Sequence, residues 1–483
     1  MMTLILLALP LLGLASLFLV KGDAIKKVAF GFSTLTFLTA ISVWAQFDPT
    51  NSTQFDFNQP WVKSLGISFS VGMDGLSILL VLLTTFLVPL IILSTFEREY
   101  KNPLAFYALI LLMQAGLIGV FVAKDAFLFY IFWELGLIPI YFISLLWGGE
   151  NAKAITFKFF IYTLAGSLLM LFALFYLYTQ TPGEHSFAIQ AFYDLSLNAE
   201  TQSWLFWCIF IAFAIKIPVF PFHTWQPSTY HMNSTPGTML LSGIMLKMGI
   251  FGIIRWLLPV VPLGCEQWGD TAIFLAMLGI VYASFIAIVQ KDFKKLLAYS
   301  SIAHVGLITA GVMTGTTDGL RGGMLQMLAH GVNVVGLFFV ADIIFNRTKT
   351  YEMSELGGIR TKAPWFATLF MIIMLGSVAL PLTNGFVGEF LLIKSVFDYN
   401  AIIAAISGLT VILGAIYMLW GYQKMMLGET SKLTAEFADL TFNDKAVLIP
   451  IVIVVIITGV YPKPLFELIE PSVKSILTVI GKN

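Results

Sequence analysis

Charged residues are scarce in this chain: Lys, Arg, Asp and Glu make up only 11% of its 483 residues, whereas 58% are hydrophobic. This scarcity excludes a soluble domain with a polar surface. Basic and acidic residues balance to a formal net charge of zero, which argues against a nucleic-acid partner. The composition therefore indicates an integral membrane protein surrounded by the lipid bilayer.

Cysteines and cofactor motifs are also nearly absent. The two cysteines, Cys208 and Cys265, form neither a CxxC motif nor a disulfide framework. The sequence contains no phosphate-binding loop, no GxGxxG after a strand and no HExxH. We therefore expect no cofactor in this chain, and any energy input must come from an ion gradient or a partner protein.

Long apolar runs recur along the whole chain. Each approaches the roughly 20 residues that a helix needs to cross about 30 Å of hydrocarbon. The alternating ten-residue segments of a β-barrel are missing, so we predict an all-α polytopic membrane protein with about fourteen transmembrane helices. The predicted spans cover residues 3–20, 28–46, 73–95, 103–122, 126–147, 155–178, 203–222, 235–258, 271–289, 296–314, 320–345, 364–396, 401–426 and 446–461.

The basic residues predict the orientation. They favour the side reached after odd-numbered spans by roughly two to one, and basic loops stay in the cytoplasm. Because Lys21, Lys26 and Lys27 follow the first span and no basic residue precedes it, we expect a retained helix rather than a signal peptide. Both termini then lie on the periplasmic side of a bacterial inner membrane; the mitochondrial inner membrane is the alternative.

Six ionisable side chains fall well inside predicted spans, where a charge costs about 2.5 to 3.5 kcal/mol on insertion scales. They are Glu134, Lys216, Lys247, His304, His330 and Glu389. Such residues are functional by default. The structural alternatives are an ion pair, neutral imidazoles bonded across helices, a lysine shielded by small residues and a helix cap.

Three other charged residues, Asp74, Arg255 and Asp342, fall near span ends. Long side chains at such positions can extend to the membrane interface. We therefore expect all three to reach the interface and assign them no role in transport.

The chemistry of the six buried residues favours protons over sodium. A hard cation needs oxygen ligands, whereas histidine and desolvated lysine exchange protons near neutral pH. At an effective dielectric of about 20, a glutamate and a lysine attract by about 4 kcal/mol at about 4 Å and by about 2 kcal/mol at about 8 Å. We predict that separating Glu134 from Lys216 releases a proton toward Lys247.

Two predicted spans, five apart in order, contain helix breakers. Pro218 and Pro221 follow Lys216 in the seventh, and Pro381 and Gly385 interrupt the twelfth. Paired breaks favour two inverted five-helix repeats around broken helices 7 and 12. The predicted units are residues 1–102 with helices 1–3, 103–258 with helices 4–8, 259–426 with helices 9–13, and 427–483 with a linker, helix 14 and the C-terminal tail.

These stretches together resemble the antiporter-like membrane subunits of respiratory complex I (NADH:quinone oxidoreductase) and of multisubunit cation/proton antiporters. The resemblance is carried by FWELGLIPIYF, AIKIPVFPFHTW, STPGTMLLSGIMLKMGIFG, KKLLAYSSIAHVG, GGMLQMLAHGVNVVG and LPLTNGFVGEFLLI. It implies that Glu134 and Lys216 form a coupling pair and that a hydrophilic axis continues through Lys247, the two histidines and Glu389. A glutamate at this last position resembles the M-type (subunit 4) members.

The resemblance also implies partners. NADH, FMN, iron–sulfur clusters and quinone would belong to other subunits, and L-type and N-type subunits would be neighbours of this non-redox member of a translocating enzyme. A D-type subunit of a multisubunit sodium/proton antiporter is the alternative. From another class, a haem protein with His304 and His330 as axial ligands stays open.

One loop departs from the family pattern. This chain has PFHTWQPSTYH where the family usually has PLHTWLPDAH, so the usual aspartate is lost, His223 is retained and His231 is shifted by one place. We expect both histidines to lie in a solvated loop and assign them no role in proton entry.

Overall fold

The computed structural model describes residues 1–50 and 53–481 and is mostly helical. The first helices are α1 Met2–Leu17, α2 Ala24–Gln46, α3 Gly75–Leu93, α4 Pro103–Val122, α5 Ala126–Trp147 and α6 Ala152–Gln180. Asp125 caps α5 by accepting hydrogen bonds from two backbone N–H groups of its first turn. Asp74 and Asn102 each accept one such hydrogen bond at the starts of α3 and α4, so these three helices begin where a polar side chain satisfies free backbone donors.

The middle of the chain contains several short helical segments. These helices are α7 Ile189–Tyr193, α8 Ala199–Lys216, α9 Gln226–Met232, α10 Thr235–Leu240, α11 Leu246–Gly252, α12 Pro262–Val289 and α13 Phe293–Met313. A π-helical turn, Leu241–Met245, joins α10 and α11 into one rod, and a second π-helical turn, Ile253–Leu257, extends the rod beyond α11. Single π turns inside helices often mark functional sites.

The last part of the chain ends on a helix where the sequence predicts only a C-terminal tail. Its helices are α14 Thr317–Thr348, α15 Ile359–Lys362, α16 Pro364–Ser377, α17 Asn384–Tyr399, α18 Ala401–Ser407, α19 Leu409–Met426, α20 Phe442–Val460 and α21 Lys463–Val479. The apolar side of α21 packs against α3 and α14. Within the described ranges, eleven helical stretches are long and apolar enough to cross a membrane.

A β-hairpin departs from the all-α prediction. Strands β1 Gln54–Val62 and β2 Ile67–Met73 pair antiparallel, with Asn58 opposite Ser70. The sequence did not indicate this hairpin because a search for long apolar runs passes over short strands between spans. The coarse prediction of a helical polytopic membrane protein is nevertheless confirmed.

The most deeply buried helices are α13, α14 and the α10–α11 rod, while α2, α6 and α20 expose much more of their surface. Helices that are apolar nearly all round belong in a core rather than at an edge. The core helices carry three of the six ionisable residues predicted from the sequence, namely Lys247, His304 and His330. A fourth, Glu389 of α17, contacts His304 of α13 directly. The fold therefore places these groups away from the surface of the chain.

The predicted role of Asp74, Arg255 and Asp342 as interface-seeking residues is wrong. Asp74, the N-cap of α3, forms an ion pair with Arg255, and its carboxylate is only 6% exposed. Beyond the other end of α3, Arg98 pairs with Asp342 of α14. Asp342 also accepts a hydrogen bond from Thr235. Because each charge has a partner distant in sequence, these side chains can stay buried. The two ion pairs, Asp74–Arg255 and Arg98–Asp342, also fix the two ends of α3.

Candidate proton-transfer site

The first two predicted residues lie near each other but are not bonded. Glu134 is in the middle of α5, and Lys216 is the last residue of α8, just before Pro218. Lys216 Nζ lies 4.9 Å from the centre of the Trp133 ring, which is a cation–π geometry. Glu134 lies within electrostatic range of Lys216, yet both Glu134 Oε1 and Lys216 Nζ are buried without a hydrogen-bond partner among the described residues. Glu134 and Lys216 are therefore neighbours that are not joined by a hydrogen bond, and we call this arrangement open.

Lys247 is fully buried at the centre of the α10–α11 rod, and a local irregularity supplies a partner for it. In the first π turn, the Leu246 N–H donates to the carbonyl of Leu241. A regular α-helix would direct this bond to Ser242 instead. The Ser242 carbonyl is thus able to accept a hydrogen bond from Lys247 Nζ at 2.6 Å.

The same lysine is bonded to a histidine of α14. Lys247 Nζ lies 2.9 Å from His330 Nδ1, and His330 Nε2 lies 3.2 Å from Ser301 Oγ of α13. An ammonium can only donate, so Nδ1 accepts, and the hydrogen of a neutral His330 is on Nε2, directed at Ser301. The three side chains form one hydrogen-bonded line between three helices.

A second buried pair joins α13 to α17. His304 Nδ1 lies 2.8 Å from Glu389 Oε1, and both side chains are less than 5% exposed. Gln326 Nε2 donates to the same carboxylate oxygen at 2.9 Å. Glu389 Oε2 has no hydrogen-bond partner within the described part of the chain. The carboxylate is therefore held on one oxygen and open on the other.

The two bonded pairs, Lys247–His330 and His304–Glu389, face each other across a small gap. The centres of the His304 and His330 rings are 6.0 Å apart. A cavity of about 10 Å³ lies beside them, which is room for roughly one water molecule. Four of the six predicted residues are thus brought into one buried cluster, whereas no hydrogen bond links Glu134 or Lys216 to it within the described ranges.

Sequence reasoning missed several polar members of this cluster because they carry no charge. Ser301 lies three residues before His304, while Gln326 and Asn333 lie four residues before and three residues after His330. Side chains at such spacings share one face of a helix. Searching for neutral polar residues three or four positions from each buried histidine would have found them.

The prediction of a solvated environment for His223 is wrong. Its side chain is buried, and its ring stacks on Phe220 with the ring centres 5.5 Å apart. The shifted His231 is partly exposed and lies 2.9 Å from Asp292, the N-cap of α13. Burial by itself raises the pKa of Asp292, but the hydrogen bond and charge of His231 outweigh burial, so this pKa lies below its usual value.

Sequence reasoning also missed Lys294, in the first turn of α13. Its side chain is buried and donates to the backbone carbonyl of Asn233 at 2.8 Å. Its ammonium also lies 5.6 Å from the centre of the Tyr351 ring. The predicted span 296–314 begins two residues after Lys294 and so leaves it outside the membrane.

Comparison with known proteins assigns the family. Residues 123–459 match the family described as NADH:quinone oxidoreductase/Mrp antiporter, transmembrane region. The chain belongs to this family. Subunit M of NADH-quinone oxidoreductase from Rickettsia typhi is 39% identical over 94% of this chain and 92% of its own length. The chain is accordingly an M-type antiporter-like membrane subunit, as the sequence predicted.

Solved structures agree with this assignment. A chain of respiratory complex I from Thermus thermophilus superposes with a TM-score of 0.92 and 31% identity, and the match covers 100% of both chains. A chain of the Mrp complex from Dietzia superposes with a TM-score of 0.88, covering 100% of this chain and 98% of its own. At 19% identity the second likeness shows a shared fold only.

Proposed function

We propose that this M-type subunit moves protons across the membrane arm of complex I along Glu134, Lys216, Lys247, His330, His304 and Glu389. The observation that carries the proposal is the pair of directly hydrogen-bonded, buried contacts Lys247–His330 and His304–Glu389. Each contact joins groups that can both bind a proton, and each crosses between helices. A purely structural interior is better served by apolar packing.

The chain's own residues suggest the order of events. The open arrangement of Glu134 and Lys216 corresponds to a separated pair, in which the lysine keeps less of its attraction to the carboxylate. Lys247 gives one of its ammonium protons to His330 Nδ1, and the proton released from Lys216 replaces it, so the lysine ends singly protonated. His330 can then pass its Nε2 hydrogen toward Ser301 and the His304–Glu389 pair.

We also propose the finer architecture on this basis. Fourteen crossings arise if α8 with α9, the α10–α11 rod, α16 with α17, and α18 with α19 each count once, and if the short helices α7 and α15 and the amphipathic α21 are not counted. The ends of α8 at Lys216 and α16 at Ser377 support two inverted repeats over 103–258 and 259–426. Helices 1–3 in 1–102 and the segment 427–483 flank them, with both termini periplasmic.

Electron transfer then belongs to partners. We propose that this chain is a non-redox subunit of the translocase, with NADH, FMN, iron–sulfur clusters and quinone in other subunits and L-type and N-type subunits as neighbours. Its relatives are mostly bacterial in name, which supports the bacterial inner membrane. Exposed apolar side chains along α6, such as Phe157 and Phe172, suit contact with lipid or such neighbours.

The decisive experiment replaces Glu134 by Gln in the intact complex. The neutral amide of glutamine cannot attract the Lys216 ammonium as the Glu134 carboxylate does. We therefore expect proton pumping in inverted membrane vesicles to be abolished while the complex still assembles. Glu150→Gln, at an exposed position just beyond α5, is the matched control. Undiminished pumping by the Glu134 variant would refute the proposal.

The sodium/proton antiporter is the second candidate because the description of the matched family names the Mrp antiporter beside the oxidoreductase. Isolation of the chain with its native partners separates the two functions. An assembly that oxidises NADH supports complex I, and one that exchanges sodium without a redox reaction supports the antiporter.

A further inference from the structure

A basic and aromatic patch lies where α16 and α20 begin, on the cytoplasmic side in the proposed orientation. Lys445 Nζ of α20 lies 5.9 Å from the centre of the Trp365 ring of α16, which is a cation–π geometry. Trp365 is 60% exposed, and Lys362, three residues before it, is exposed as well. Tryptophan and lysine are enriched where helices leave the hydrocarbon of a membrane. The patch therefore lies at the level of the lipid headgroups.

The chain does not neutralise the two lysines of this patch. Within the described ranges, neither Lys362 nor Lys445 forms an ion pair with a carboxylate. Asp444, directly before Lys445, pairs with Arg347 of α14, and Asp439 accepts hydrogen bonds from two backbone N–H groups at the start of α16. Two unpaired positive charges beside one aromatic ring are complementary to an anion.

An exposed apolar surface continues from the patch toward the middle of the membrane. Helices α16 and α20 run parallel and in contact, because Lys445 lies beside Trp365 near their starts and a Cβ at Gly376 would lie 2.9 Å from Val455 Cγ1 near their ends. Three isoleucines of α20 follow Lys445 on its face of the helix and are exposed: Ile449, Ile453 and Ile456. A ligand that suits both parts has an anionic head and a long apolar tail.

A phospholipid meets both requirements. A soluble anion would pair with the lysines but leave the isoleucines uncovered, and an acyl chain alone would leave the lysines without a counter-charge. Basic residues between membrane helices on the cytoplasmic side attract anionic headgroups. The combination of the two surfaces therefore favours an anionic lipid over either simpler ligand.

We propose that Lys362, Trp365 and Lys445 bind the headgroup phosphate of an anionic phospholipid of the cytoplasmic leaflet, whose acyl chains lie along the exposed side of α16 and α20. The lipid contacts both helices at once and so joins the start of α16 to α20. This site uses none of the residues of the proton-transfer site and does not depend on the proposed function.

The site is tested in the intact complex, reconstituted in nanodiscs of phosphatidylcholine that contain a photoactivatable phosphatidylglycerol. After illumination, lipid-labelled peptides of α16 and α20 are quantified by mass spectrometry. Because each lysine near a membrane surface attracts anionic lipid, we expect the double variant Lys362→Gln/Lys445→Gln to lower this labelling roughly tenfold. Lys362→Arg/Lys445→Arg keeps both charges and should retain the labelling. Lys153→Gln, at an exposed position at the start of α6, is the matched control.

The position of the lipid is checked in a high-resolution map of the wild-type complex in the same nanodiscs. We expect a phosphate beside Trp365 and acyl chains along α16 and α20. Equal labelling of the glutamine double variant and of Lys153→Gln overturns the site, and so does a segment of a partner subunit in the place of the lipid. Displacement of the labelled lipid by excess inorganic phosphate would show a site for soluble anions and also overturns the proposal. Normal pumping by Glu134→Gln overturns the proposed function and leaves this site untouched.

Discussion

At the scale of single residues, the partner decides what a buried charge does. Lys247 and Glu389 contact proton-binding histidines, whereas Asp74 and Arg255 contact each other. All four are rare types in a membrane protein interior. The first two contacts therefore suit the proposed proton transfer, whereas the contact between a carboxylate and a guanidinium suits stability.

The Asp74–Arg255 pair gives a testable stability effect. Removing one partner of a buried pair typically costs about 3 to 5 kcal/mol because the other charge is left unpaired. We expect Asp74→Asn to lower the melting temperature of the solubilised complex clearly. Asp56→Asn breaks the more exposed contact with Lys124 and should change stability by at most about 1 kcal/mol.

The same pair has a predictable pH dependence. Burial raises the pKa of Asp74, but the charge and hydrogen bond of Arg255 outweigh it and hold this pKa below its usual value. A carboxyl with a depressed folded pKa contributes stability above about pH 3.9 that is lost as the pH falls further. The stability gap between wild type and Asp74→Asn should therefore be constant near neutral pH and close in acid; a gap that widens in acid would contradict this.

At the scale of elements, α21 shows how a polar sequence acquires a buried face. Its buried side chains include Ile469 and Val473, four residues apart, and Glu470 pairs with Arg321 of α14. Because its charged residues reduce its mean hydropathy, α21 is not an apolar span. It lies against the ends of α3 and α14 as an amphipathic helix, which a search for transmembrane runs does not reveal.

We predict that Ile469→Asp detaches α21. Burial of such a side chain contributes about 1.5 to 3 kcal/mol, and a buried carboxylate without a partner adds a further cost. Faster hydrogen exchange or proteolysis confined to the C-terminal segment of the assembled complex would reveal the release. Glu467→Ala changes an exposed residue of the same helix and should leave protection unaltered. Equal protection in both variants would show that the packing of Ile469 is dispensable.

At the scale of the whole molecule, the core positions ionisable groups and the periphery faces lipid. Helices α13, α14 and the α10–α11 rod are buried by their neighbours, so charges on them are shielded from the bilayer on all sides. Outer helices such as α6 expose phenylalanine and leucine instead. This arrangement gives the chain an apolar outer surface and a polar centre.

The orientation of the molecule is open to direct measurement. After replacement of Cys208 and Cys265 by alanine, single cysteines at Lys432 and Lys63, both exposed, mark the two faces. The positive-inside rule predicts that a membrane-impermeant thiol reagent labels Lys432→Cys from the cytoplasmic side and Lys63→Cys from the periplasmic side. The reverse labelling pattern would invert the proposed orientation.

The sequence by itself determined the membrane class, the helical fold, the family and the six ionisable positions. Apolar length is a local property, and a charge inside such a run is visible without knowing its neighbours. The hairpin Gln54–Met73 and helix α21 lack this local signal and were not predicted.

Only the tertiary structure decided which charges meet. Arg98 pairs with Asp342, and Lys247 bonds to His330, although the partners are far apart in sequence. The hydrogen bond between the amides of Asn333 and Asn384 likewise joins α14 to the start of α17. Hydrogen bonds act over about 3 Å, so their partners depend on how helices pack rather than on the order of residues.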